Sequence, residues 1–115
     1  MARYTGLFVV AAPFEHLRQL LAEVLISCNF DIIYDRKKCL MAREIPGQVS
    51  FSKLVTIEVS IDSPDSSYTD IRMNFVVKNE ELPLRANNHC SQMFETLKQA
   101  IADYQYWEFR EAIAD

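Results

Sequence analysis

Residues 51–62 read FSKLVTIEVSID and residues 68–78 read YTDIRMNFVVK. In the first stretch Phe51, Val55, Ile57, Val59 and Ile61 fall on one side of an extended chain, with Ser52, Thr56, Glu58, Ser60 and Asp62 on the other. In the second, Ile71, Met73, Phe75 and Val77 oppose Asp70, Arg72, Asn74 and Lys78. Side chains alternate across a strand, so a two-residue period means one buried and one wet face, the habit of antiparallel sheets. The turn-forming run SPDSS at 63–67 predicts that the two strands pair as neighbours. Lys53 falls on the apolar side, either lining a pocket beneath a helix or ending the strand with its stem buried and its amine in water.

Upstream, FDIIYD and CLMARE read as a hairpin about the charged tip RKK at 36–38, followed by a Pro-Gly turn in IPGQ. Residues 4–11 are a nearly continuous apolar run, which predicts an interior strand. A helix over about 13–28 follows, opened by Pro13, whose missing N–H costs nothing in a first turn. Phe14, Leu17, Leu21, Val24, Leu25 and Cys28 form its apolar stripe, and Asn29 is suited to the left-handed cap. After the irregular stretch NEELPLRANN, a second helix is predicted from about His89 to about Arg110, with Cys90, Met93, Phe94, Leu97, Ile101 and Tyr104 as its stripe.

The order is β-α-β-β-β-β-α. The expected fold is α+β: one antiparallel sheet of about five strands with two helices on its apolar face. This order of elements resembles helix-grip and TATA-binding-protein-like half-repeat architectures, a resemblance of architecture that carries over no functional residue.

At 115 residues the chain makes one domain, 1–115, without repeats or linkers. Half of it is hydrophobic and about a quarter charged, as in globular proteins. A net charge of −4 argues against nucleic-acid binding, which depends on neutralising phosphates. No apolar run approaches the ~20 residues of a membrane span, and Leu7 to Ala12 falls short of the ~7–15 of a signal core. Cys28, Cys39 and Cys90 are an odd, scattered set that fits neither a disulfide scaffold nor a zinc site. The expectation is a cytoplasmic protein that needs no cofactor and does not insert into membranes.

His89 beside Cys90 is the one pairing with the chemistry of a nucleophile and base. Adjacent helical residues diverge by about 100°, so the two do not face each other. The phosphate-loop, dinucleotide, zinc-protease and nucleophile-elbow motifs are all missing from the sequence. Glu58 is expected to lie across from Asp70 or Arg72 as a charge pair on the wet face.

The chain ends YQYWEFREAIAD, residues 104–115, with its single Trp. Continued at 100° per residue from Tyr104, Trp107 lies at about 300°, and Tyr106, Phe109 and Ile113 lie between about 140° and 200°, opposite the core stripe. Either the helix breaks near Gln105 and the tail folds over the domain's own edge, or 105–115 extends the helix and offers a second apolar face. The second reading makes Tyr106, Trp107, Phe109 and Ile113 anchors of a protein interface, since Tyr and Trp dominate contact hot spots. The expected function is accordingly a non-enzymatic interaction module, a homodimer or a small subunit of a larger assembly. The alternative is a small hydrophobic-ligand binder with a cavity between sheet and C-terminal helix lined by Phe51, Lys53, Met73, Phe75 and Phe94.

Overall fold

A computed structural model describes residues 1–62, 70–82 and 88–114. Among these residues six strands and two helices run in the order β1 (Ala2–Ala11), α1 (Phe14–Ser27), β2 (Phe30–Arg36), β3 (Cys39–Glu44), β4 (Thr56–Asp62), β5 (Asp70–Asn79), α2 (His89–Asp103) and β6 (Glu108–Ala114). All six strands form one antiparallel sheet in the order β2-β3-β4-β5-β1-β6. The α+β class, the single antiparallel sheet and the two helices on one side stand as read from sequence. So do the pairing of β4 with β5 and the interior position of β1. The turn at 63–67 and the middle of the connection at 83–87 lie outside the described residues. No described helix is long and apolar enough to cross a membrane.

Period-two alternation builds the inner layer. Ile57, Val59 and Ile61 of β4, Ile71, Met73, Phe75 and Val77 of β5, and Phe8 and Val10 of β1 are buried toward the helices. Onto them α1 packs Leu17, Leu21, Val24 and Leu25, and α2 packs Cys90, Phe94, Leu97 and Ile101. Pro13 stands at the N-cap of α1, and Asn29 takes the left-handed conformation (φ 73°) just beyond its end. Gly6 lets α2 approach: a Cβ there would sit 3.0 Å from the Phe94 ring.

Two boundaries differ from the sequence expectation. Residues 51–53 form a single 3-10 turn rather than the start of β4, which leaves Phe51 83% exposed and Lys53 in solvent. The larger correction concerns the end of the chain. Helix α2 stops at Asp103 instead of reaching Arg110, and 105–115 is not a helical extension: Glu108–Ala114 is β6, paired with β1. The sheet therefore has six strands, not five. Tyr, Trp and Phe in close succession favour an extended chain, and Trp107 and Phe109 alternate with exposed Tyr106, Glu108 and Arg110. The change of face seen on a helical wheel was a change of period, from 3.6 to 2.

Candidate functional site

The aromatic tail divides between core and surface. Tyr104 ends α2 in extended conformation, and its hydroxyl donates to Glu23 of α1 at 2.6 Å. Burial, then this carboxylate, pushes the Tyr104 phenol up to about 12. The Trp107 indole packs edge-on to Tyr104 (centroids 4.8 Å apart) and donates from Nε1 to the Ile101 carbonyl at 2.9 Å. That carbonyl is one of the last four of α2, which have no partner within the helix. Trp107 is thus a core residue at 7% exposure, and Phe109, opposite Val10, packs against the core. Only Tyr106 (62%) and Ile113 (51%) are open to solvent. The four anchors proposed from sequence do not form one patch, because a strand sends neighbouring side chains to opposite faces.

The residues proposed to line a cavity do not surround one space either. Met73, Phe75 and Phe94 are core side chains, with Phe8 edge-on to Phe75 at 5.1 Å, whereas Phe51 and Lys53 are exposed on the 3-10 turn. An open cleft of about 420 Å³ beside that turn is lined by Met1, Arg43, Pro46, Phe51, Leu54 and Lys78, among others.

His89 and Cys90 open α2 and face different ways. The imidazole Nε2 meets both oxygens of Glu44, at 2.9 and 3.0 Å, and Glu44 (2% exposed) also accepts from the Val55 amide at 3.1 Å. The Cys90 thiol instead points at the Val77 carbonyl, 3.5 Å away. Burial, and then the charges of Glu81 and Glu44, push that thiol up to about 12, so it carries no thiolate at neutral pH to act as a nucleophile. Glu81 accepts from the backbone N–H groups of His89 and Cys90, at 3.2 and 3.0 Å, and Asn88 accepts from Ser91 N–H at 2.7 Å. Burial alone would raise the Glu81 carboxyl. The Asn79 amide, these two N–H groups and the His89 charge outweigh it and hold the group below the usual range. This cluster fastens a helix N-terminus to the sheet. Among the described residues, no three His, Cys, Asp or Glu side chains converge to hold a metal ion.

What the helices leave uncovered is the other face of the sheet. The strand registers arrange its side chains in rows that run across the strands. At one end stands Arg43-Thr56-Lys78-Arg3, followed by Met41-Glu58-Val76-Thr5 and then Cys39-Ser60-Asn74-Leu7-Ile113. Beyond them come Asp62-Arg72-Val9-Glu111 and, last, Asp70-Ala11-Glu108. Three cations thus mark one end, and Asp62, Asp70, Glu108 and Glu111 mark the other, tempered by Arg72 and Arg110. Arg110 reaches Asp70 at 3.1 Å and Glu108 at 2.8 Å, and Lys78 pairs with Glu58. The charge pair expected from sequence is therefore redrawn, since Glu58 lies across from Val76 and Arg72 across from Asp62. Between the ends Leu7, Val76, Ile113 and Met41 supply apolar surface. A hollow of about 510 Å³ there is bounded by Arg3, Thr5, Leu7, Asn74, Val76 and Ile113.

Sequence reasoning passed over this face, although one signal was present. Leu7, Val9 and Val76 are apolar residues in the register that alternation assigns to water. No protein-family model matches this chain, and no curated protein matches it in sequence.

Proposed function

We propose that this chain is a non-enzymatic protein-interaction module whose contact surface is the uncovered face of the sheet, centred on Leu7, Val76 and Ile113. One observation carries the reading: both helices pack on the same side of a six-stranded sheet, and the opposite side bears apolar residues in the wet register. A sheet face that met only water would gain nothing from Leu7, Val76 and Ile113, whereas a contact face buries them further. The aromatic tail contributes through Ile113 and through closing the sheet, not as a separate helical arm. All three cysteines are free thiols, which fits a reducing cytoplasmic setting.

Carbene footprinting tests the reading. Labelling of Leu7, Met41, Val76 and Ile113 is compared in dilute purified protein, in concentrated protein and in native lysate. Protection of this face in either crowded condition, with the exposed helix residue Ile26 labelled throughout, is the expected result. Equal labelling of the face in all three would refute the proposal.

A further inference from the structure

The occupant of this face is settled best by its charge pattern. Resting on the interaction reading above, we infer that the partner is a second copy of this chain, stacked sheet on sheet about a two-fold axis that crosses the strands at right angles.

Two identical faces can meet only about an axis lying in their common plane. An axis along the strands would set the Arg3, Lys78 and Arg43 ends on each other. An axis across the strands reverses one copy and sets the cationic end on the acidic end. Passing through the row Ser60-Asn74-Leu7-Ile113, that axis stacks β5 on β5 and β1 on β1. Lys78 of one copy then stands over Asp70 of the other, and Arg3 stands between Asp70 and Glu108. Each contact occurs twice, as an isologous interface requires. Leu7 and Ile113 meet their own counterparts at the centre, beside the hollow that Arg3, Leu7 and Ile113 line.

The groups that change partners are free to do so. Arg3 and Arg43 make no ion pair among the described residues, the Arg110–Asp70 pair is exposed, and the Lys78–Glu58 pair is half-exposed. Exposed pairs are worth little, so sharing them with a second copy costs little. Among the described residues, Glu58 over Asp62 is the one like-charge apposition, and Lys78 lies beside Glu58 to offset it. Only β4, β5 and β1 extend to both sides of the axis, so the overlapping patch is three strand spacings of ~4.8 Å wide and about seven residues of ~3.3 Å long, roughly 14 by 23 Å. Two such patches bury on the order of 650 Å², the size of a weak, reversible contact, which is why the test is run at high concentration.

A charge-swap experiment decides it. By light scattering coupled to gel filtration at about 100 µM, the full chain is expected at twice its 13.3 kDa. Variant A carries Arg3→Glu and Lys78→Glu, and variant B carries Asp70→Lys and Glu108→Lys. Each alone should dimerise at least about ten-fold more weakly, because like charges meet across the axis. An equimolar mixture of A and B should recover the dimer, since every swapped group then faces its opposite. Recovery on mixing also shows that both variants are folded.

A wild-type chain that runs as a monomer, or dimerisation unchanged in A and B, would overturn the self-partner inference. Failure of the mixture to recover the dimer would overturn the proposed axis and the inference with it. The interaction reading fails separately, by the footprint: a monomer whose sheet face is protected in lysate has a different partner, and one whose face is labelled everywhere has none.

Discussion

At its N-terminus α2 is received by polar groups, and at its C-terminus by an aromatic ring. The first turn of the helix contains no acidic residue, yet Glu81, eight and nine positions upstream, accepts its His89 and Cys90 amides, and Glu44 of β3 holds the His89 ring. The last turn contains no basic residue, and there the Trp107 indole takes the Ile101 carbonyl while its ring fills the core. Both ends satisfy backbone groups that the helix cannot satisfy itself, and the carboxylates at the first also carry the sign of charge that suits a helix N-terminus. The two solutions differ in what else they supply. The carboxylates add polar bonds and a dependence on pH, while the indole adds buried area and turns the chain into β6. Helix α1 offers a third case, since Pro13 stands at its N-cap without any side-chain hydrogen bond and its buried apolar stripe carries most of its packing.

Trp107→Ala should be the most damaging way to break this comparison. It removes a buried indole, orphans a carbonyl and loosens the entry to β6, at a cost of about 3–5 kcal/mol in urea unfolding. Trp107→Phe, which keeps much of the area and loses the bond, should cost less than half as much. Next comes Glu44→Ala, which leaves the buried Val55 amide and the His89 ring without their acceptor and should cost about 1–3 kcal/mol by the same measurement.

Glu81→Gln should cost about 1 kcal/mol at neutral pH, and its pH dependence says more than its size. The folded carboxyl lies below its unfolded value, so the folded state holds its proton less tightly and the stabilisation is complete above the unfolded value of about 4.3. It is lost as pH falls from there through the folded value. Wild type should therefore lose more stability than Glu81→Gln between about pH 5 and pH 3. Equal acid slopes would remove Glu81 from the account of the N-terminus. Tyr104→Phe should be mildest, at about 0.5 kcal/mol, because the bond to Glu23 is solvent-exposed. An ultraviolet titration should show the Tyr104 phenol ionising late, near 12, and the variant should lack that phase.

The α2 ends also show where sequence reading stops. The stripe from Cys90 to Ile101 was legible because one side of the helix must be apolar to pack. The helix end was not, since a 100° wheel assigns an angle to any residue whether or not the chain still turns. Trp107 and Phe109 in alternation with Tyr106, Glu108 and Arg110 held the correct answer, but a five-residue alternation next to a long helical stripe is outweighed by it. Phe51 misled in the same way, extending a genuine alternation by residues that turn. His89 and Cys90 were rightly judged not to face each other, from helix geometry alone. Their actual partners, Glu44 and Val77, lie 45 and 13 positions away. No local pattern reports such distances.

By itself the sequence determined the class of the protein. Two clean alternations and two helical stripes require a sheet with one apolar face and two helices to cover it, because burying that surface is the only large gain open to a chain of this size. Tertiary structure decided the rest: that the final aromatic residues close the sheet instead of prolonging a helix, and that both helices leave the other face of that sheet to side chains with opposite charges at its two ends. The reason is common to both. Periodicity is a property of neighbours along the chain, whereas strand order and the meeting of Arg3, Lys78, Asp70 and Glu108 on one surface depend on pairings between residues far apart in it.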